Sequence, residues 1–335
     1  MSERIQNAAR EYLAATGYGD AAGAPVETKN AAEIAERYGY VTKLMPIYDN
    51  PYFPGRLCEG TTTDDTSLKA AVTKAIVKAR GFTLESQKHT HVIAYDTTPK
   101  ITTTKGVKVR GWGGSTTKAV QAMINGIAPE YSGQLGASGN GVGMKVDALT
   151  IMQALMSVNH AERYDQYDQL TTMTHDSDIA RLTTRVHGDA VTAALYGGLD
   201  AIPNAVRRSL GDNHSDDFPD ECALILRAVE QPCQSFEALV NRYASGKNGK
   251  DYGFYIPETL AIVYDVVLGS NGNFETAVYR AVNLGGDADS TASMAASMIA
   301  CARGGDYEKP HDFHKVQDLD SLYVLSGKLA SLALS

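Results

Sequence analysis

Two short acidic runs in this 335-residue chain hold the side chains that metal-assisted chemistry requires. The first is "TTTDDTSL", where Thr63 and Thr66 flank Asp64 and Asp65. The second is "NLGGDADSTASM", where Gly285 and Gly286 precede Asp287, Asp289, Ser290 and Thr291. Both stand at the head of an apolar-periodic segment, so the plain reading of either is a helix N-cap. Ser, Thr and Asp oxygens accept orphan backbone N–H groups there, and carboxylates suit the positive end of the helix dipole. One Asp is enough for that. Two per run, with hydroxyls and without His or Cys nearby, also make an all-oxygen donor set of the kind taken by Mg²⁺ or Mn²⁺. Close carboxylates repel when buried and ionised, so a cation or water belongs between them. If the runs meet in space, four carboxylates exceed the charge of one ion. A pair of ions about 3.5–4 Å apart then fits better.

Three other stretches carry a second meaning. "YGDAAGAPVE" puts Gly19, Asp20, Gly23 and Glu27 after a helical run, where a C-cap and turn explain the glycines. "GASGNGVGMK", residues 136–145, is a glycine-rich turn whose backbone N–H groups could cradle a phosphate or ribose, or a simple connection. "MTHDSD" contains His175, and a lone His usually serves as a structural hydrogen-bonder. His89 and His91 form an HxH inside a helical pattern. That spacing puts them on different faces, so neither is assigned a metal role.

The elements that must position these residues read as helices. Ile5, Ala8, Ala9, Tyr12 and Leu13 follow i, i+3, i+4 spacing, and Gly17 closes the run. Leu68, Ala71, Val72, Ala75, Ile76 and Ala79 repeat the pattern, with Lys69, Lys74 and Lys78 assigned to the opposite face. Pro257 suits the first helical position of a segment with Leu260, Val263, Tyr264 and Val267 on its apolar face. Residues 97–110, rich in β-branched side chains around Lys105 and Gly106, read as a short hairpin or ordered loop. The acidic residues 211–221 read as a solvated loop.

Bulk properties narrow the class. With 43% hydrophobic residues the chain can bury a large core, and a net charge of −8 argues against a general nucleic-acid binder. No apolar run reaches the roughly 18–20 residues of a membrane span. The polar start and four scattered cysteines (Cys58, Cys222, Cys233, Cys301) fit a cytoplasmic protein with reduced thiols.

Taken in order, these stretches resemble the ADP-ribosylglycohydrolase family. It includes hydrolases that remove ADP-ribose from arginine or serine side chains, and the glycohydrolase that reactivates dinitrogen reductase. Gly19, Asp20, Gly23 and Glu27 match the family's GDxxGxxxE stretch. Thr63 to Thr66 match its TDDT, and Arg110, Gly111 and Gly113 its RGxG turn. Gly139, Asn140, Gly141 and Met144 match GNGxxMR, with Lys145 in place of Arg. Thr174 and His175 match the TH pair, and residues 285–290 the closing GGDTDT, with Ala288 and Ser290 as departures.

The resemblance implies an all-α, single compact domain over residues 1–335, orthogonally packed, with a binuclear Mg²⁺ or Mn²⁺ cleft. It implies metal ligands Thr63, Asp64 and Asp65 on one side and Asp287, Asp289 and Ser290 on the other. Glu27 would be an outer ligand or proton-transfer group, so Asp64, Asp65 and Glu27 are the catalytic candidates. Gly113, Gly136, Ser138, Gly139, Asn140, Gly141, Met144 and His175 would hold ADP-ribose. Tyr252, Phe254 and Tyr255 would wall the adenine or the leaving group. The implied activity is hydrolysis of the ribosyl C1 linkage of an ADP-ribosylated protein or small molecule by a monomer. Nucleic acid enters only as a modified substrate. Two other readings stay open: a non-catalytic, antitoxin-like binder of ADP-ribose on the same fold, and a phosphohydrolase cutting the pyrophosphate.

Overall fold

The computed structural model describes residues 3–48, 50, 53, 55–103, 106–213, 215–244 and 252–334. Among them are fifteen α-helices: α1 (Glu3–Gly23), α2 (Ala31–Tyr38), α3 (Asp64–Ala79), α4 (Leu84–Thr97), α5 (Gly114–Ile124), α6 (Val146–Leu155), α7 (His160–Thr172), α8 (Asp178–Gly197), α9 (Ile202–Asp212), α10 (Pro219–Glu230), α11 (Phe236–Tyr243), α12 (Ile256–Gly269), α13 (Phe274–Leu284), α14 (Ala288–Ala302) and α15 (Leu319–Ala330). Among the described residues, strand structure is confined to two small pairs. β1 (Lys100–Thr103) pairs antiparallel with β2 (Gly106–Val109), in a register that sets Lys100 against Val109. β3 (Gln134–Leu135) runs parallel to β4 (His175–Asp176). The hairpin answers the expectation for residues 97–110, although Lys105 lies outside the described residues.

Every residue of α14 is buried, and α1, α8, α12 and α13 pack around it. Its sequence explains this position. A helix of Ala, Ser, Met and Thr has no bulky polar face to keep in water, and its narrow surface admits close neighbours. The tightest is α1. A Cβ added to Gly19 would stand 2.3 Å from the Ala292 carbonyl oxygen, and one on Gly23 would stand 2.3 Å from that of Ala288. The two backbones therefore touch along one face. Gly17 does not end α1 as its type suggested. It is buried within the helix, where a Cβ would press on Val316 and Leu322 at 3.0 Å, and α1 continues to Gly23. Gly19→Ala and Gly23→Ala should each lower the thermal midpoint, because the clash is with backbone that cannot rotate away. Gly81→Ala, which meets nothing within 4 Å, should not. Equal midpoints for all three variants would show that α1 and α14 are less tightly joined than this geometry requires.

Lys69 also departs from the helical-wheel reading. It is fully buried, and its Nζ donates to Asp147 Oδ2 at 2.8 Å. Asp147 Oδ1 lies 2.9 Å from His187 Nε2, and His187 Nδ1 lies 3.3 Å from the Tyr264 hydroxyl. A buried polar chain thus links α3, α6, α8 and α12. Burial works to raise the Asp147 pKa, but the Lys69 charge and the His187 hydrogen bond overcome it and hold the carboxyl well below its usual range. The acidic residues 211–221 are not a loop throughout. They complete α9, pass a 3₁₀ turn at Ser215–Asp217 and begin α10. His89 is exposed and His91 buried, on different faces of α4 as expected, and His91 Nδ1 pairs with the Gln87 carbonyl at 2.8 Å.

Candidate active site

Three helix ends meet at one point, and the backbone rules of helix termini explain how. Asp20, near the end of α1, is fully buried. Its carboxylate accepts the Thr63 N–H at 2.9 Å, the Thr66 N–H at 3.0 Å and the Thr66 hydroxyl at 2.5 Å. It satisfies orphan donors at the head of α3 and so fixes that helix against α1. Thr63 is the N-cap, its Oγ1 accepting the Asp65 N–H at 3.3 Å. Past α1, the chain at residues 28–30 pairs with the turn before α14: Thr28 N–H donates to the Gly286 carbonyl and Gly286 N–H to that of Lys29, both at 2.8 Å. Gly285 and Gly286 have φ of +87° and +66°. A Cβ on Gly286 would also stand 2.3 Å from the Tyr252 carbonyl oxygen, so both conformation and space demand glycine.

These contacts deliver five carboxylates to one place. Glu27, Asp287 and Asp289 are buried, and each offers an oxygen within 4.8 Å of the other two. Asp65 joins through hydroxyls. Ser290 Oγ donates to its Oδ2 at 3.1 Å and Ser293 Oγ to its Oδ1 at 2.9 Å. Residues 65 and 289, over two hundred positions apart in sequence, are therefore neighbours. Asn50 Nδ2 donates to Glu27 Oε2 at 3.1 Å, and Asn140 Nδ2 to Asp287 Oδ2 at 2.7 Å. Asp64 differs from the rest: its carboxylate accepts no hydrogen bond from the described residues, and it faces a cavity of about 750 Å³. Glu27, Asp65, Asp287, Asp289, Ser290, Gly113, Gly139, Asn140, Gly141, Met144 and His175 line the same cavity, together with Trp112, Thr116 and Phe254.

Burial is the first cause of the electrostatics, and mutual repulsion the second for most of the group. The pKa values of Glu27, Asp64, Asp287 and Asp289 are pushed well above the ordinary carboxylate range, first by burial and then by repulsion, most strongly from Asp289, Asp65, Glu27 and Asp287 respectively. Asp65 is raised by burial while the Ser293 and Ser290 hydrogen bonds oppose the shift. Asp20 is raised to about 7 by burial and the Asp65 charge. A cluster of buried, hard, mutually repelling oxygen donors fits a divalent cation well, because the ion removes the repulsion that burial magnifies.

A pH dependence follows. Each of these groups has a folded-state pKa above its unfolded value, so its contribution to stability is present at low pH and lost as pH rises through the folded value. For Asp20 that window runs from about 4 to about 7. Ions bind the deprotonated form. The rise in thermal midpoint on adding Mn²⁺ to EDTA-treated protein should therefore grow steadily from pH 5 to pH 8. A rise that shrinks with pH would contradict the electrostatics described.

The glycine-rich turn and the aromatic run are joined to one another. Asn140 N–H donates to the Phe254 carbonyl and Ile256 N–H to that of Ser138, both at 3.0 Å. This pairing presents Asn140 to Asp287 and Phe254 to the cavity. The other expected contacts fall elsewhere. Tyr252 is fully buried behind the turn, its hydroxyl bonded to the Leu284 carbonyl, so it walls nothing. Tyr255 is partly exposed and bonds Glu221 at 2.9 Å. Gly136 is exposed, its N–H held by the Asp176 carbonyl, and Ser138 serves through its backbone. None of these four lines the large cavity, and Thr63 borders a different one. His175 is buried with Nδ1 at 2.9 Å from Thr174 Oγ1. Burial and the nearby Lys145 charge lower its pKa to about 3, so it is a neutral imidazole. Sequence reading gave no site role to Asp20 or Ser293, although the capping logic applied to Thr63 implies some acceptor for the head of α3.

The helical fold thus gathers buried carboxylates on one cavity, three of them close enough together to hold a metal ion. The chain matches the family model for ADP-ribosylglycohydrolase over residues 1–332, and it belongs to that family. It is 27% identical over 308 residues to an uncharacterized protein of Archaeoglobus fulgidus, covering 88% of this chain and 86% of that one. Its fold is similar to a solved structure described as an ADP-ribosylglycohydrolase-related protein complex, with a TM-score of 0.72 and 21% identity over 99% of this chain and 100% of the other. No described helix is long and apolar enough to cross a membrane.

Proposed function

We propose that this chain, as one domain over residues 1–335, hydrolyses the bond between ribose C1 of ADP-ribose and an attached protein side chain, of arginine or serine type, or a related small molecule. Water oxygen bonds to C1, the C1–N or C1–O bond breaks with its electrons leaving on the attached group, and that group takes up a proton. The observation that carries this reading is the convergence of five buried carboxylates on a cavity that also holds residues 139–141 and His175. Two Mg²⁺ or Mn²⁺ ions, held by Glu27, Asp65, Asp287 and Asp289 with the hydroxyl of Ser290, would supply the charge that fixes the sugar hydroxyls and removes carboxylate repulsion, while Thr63 serves as the cap of α3.

The chain's own groups do the rest. Asp64 is the carboxylate with no internal hydrogen bond and with a pKa driven up by burial, which makes it the stronger base and the proton acceptor for the attacking water. The neighbouring carboxylates stabilise positive charge developing at C1. His175 Nε2 is left for the ligand because Nδ1 is engaged by Thr174. Trp112 and Phe254 supply apolar wall. The test is incubation with Mg²⁺ and a panel of arginine-, serine- and base-linked ADP-ribose substrates, followed by mass spectrometry. Release of ADP-ribose that stops in EDTA is expected. Release of AMP would make the chain a phosphohydrolase, and binding without turnover would make it a receptor.

A further inference from the structure

A second cavity, of about 460 Å³, lies against the other side of the α3 head. Thr63 and Thr66 line it, whereas Asp64 and Asp65 line the first. The end of β2 divides in the same way: Arg110 belongs to the second cavity, Val109 and Gly111 to the first. The two hollows stand back to back across these two short segments.

The second hollow is charged in an unbalanced way. Lys74, which is exposed, and Arg110, which is half-buried, line it, and neither pairs with a carboxylate among the described residues. Its one acidic side chain, Asp318, is exposed and takes the Gln317 amide at 3.4 Å. Some partly buried arginines hold carboxylates, and Arg4 and Arg280 hold backbone carbonyls; Arg110 does neither among the described residues. Arg163 holds Asp189 at 2.7 Å, Arg242 holds Asp265 at 2.7 Å and Arg185 holds Asp168. Arg110 instead lies 5.9 Å from the Phe53 ring centroid, with partial burial drawing its pKa down. A half-buried guanidinium without an anion is a donor set awaiting one. Hydroxyls of Ser67 and Ser321 border the same space.

We infer that this second cavity receives a phosphate group, bound by Arg110 and Lys74. The guanidinium fork suits two oxygens of a tetrahedral oxyanion, and the ammonium and hydroxyls reach the others. An arginine side chain in the same space would meet two like charges. Placing the phosphate on the molecule to which ADP-ribose is attached rests on the hydrolysis proposed above. The phosphate site itself does not.

The experiment is calorimetric titration of inorganic phosphate into full-length protein saturated with ADP-ribose. Saturable binding is expected in the wild type, weakened at least tenfold in Lys74→Met/Arg110→Met. Arg110→Lys should fall between the two. An unchanged thermal midpoint and ADP-ribose affinity in the double variant show that the fold and main cavity are intact. Kinetics then separate the sources of phosphate. If the leaving group carries it, substrates with a phosphate there gain about tenfold in kcat/KM over those without, and the double variant loses that gain. If the ligand is free phosphate, it changes the rate of both substrates alike. Absence of saturable binding in the wild type, or equal binding in the double variant, overturns the site. Phosphate binding without hydrolysis of any substrate would leave the site standing and sink the hydrolase reading.

Discussion

Asp289→Ala should abolish divalent-ion binding and reduce ADP-ribose release by on the order of 10³-fold or more. The reason lies in the geometry of three carboxylates. Glu27, Asp287 and Asp289 each contribute one oxygen to a cluster no wider than 4.8 Å, and removing one leaves too few hard donors at that point. The same substitution should not damage the metal-free fold. Asp289 is buried among like charges, so its loss relieves repulsion. Against that stands a small cost, because its Oδ1 accepts the Ser290 N–H at the head of α14. The signature is therefore a pair of results. The thermal midpoint in EDTA stays level or rises at pH 8, and the increase produced by Mn²⁺ vanishes. A variant that unfolds in EDTA would mean that the carboxylate holds the structure together rather than serving an ion. Retained turnover would remove the metal centre from the mechanism.

The largest stability effect should come from a residue outside the cavity. Asp147→Ala leaves the Lys69 ammonium buried without its partner, and so does Lys69→Met for the carboxylate. Breaking a buried ion pair on one side costs about 3–5 kcal/mol, because the surviving charge keeps its desolvation penalty and loses its compensation. Here the pair is fully enclosed, and His187 depends on the same carboxylate. Replacing both, as Lys69→Met/Asp147→Leu, should recover most of the loss, since no unpaired charge remains. Chemical denaturation of the two single variants and the double variant measures this directly. A double-variant loss equal to the sum of the two single losses would show that the side chains act independently. A single-variant cost below about 1 kcal/mol would show that water reaches the pair.

How much was legible in the sequence differs by element. The amphipathic periods of α3 and of the first half of α1 were readable because a helix with one face in solvent must alternate apolar and polar faces, whereas α1 is buried all round from Tyr12 to Gly23. Thr63 and the two Asp after it were readable as an N-cap because capping is local chemistry. Lys69 was misplaced for the opposite reason. A helical wheel assigns a lysine to solvent, and only the arrival of α6 with Asp147 makes its burial tolerable. Gly17 was misread as a terminator because glycine ends helices in isolation, whereas here small residues let α1 run against its neighbours. Tyr252, Phe254 and Tyr255 were grouped by their position just before the Pro257 helix, but the chain turns at Gly253, where φ is +83°, and of the three only Phe254 lines the cavity.

By itself, then, the order of residues determined the helical class, the acidic runs at two helix heads and the kinship with ADP-ribosylglycohydrolases. All three follow from local spacing and residue type. Tertiary structure gave the distance that sets Glu27 beside Asp287 and Asp289, a place the family resemblance had implied, and it alone decided that Asp20 ties α1 to α3 and that Asp64 is the carboxylate left open. Those facts depend on how closely α1 and α14 approach. That distance is set by the absence of side chains at Gly19 and Gly23 against a particular partner, and no window of sequence contains both helices.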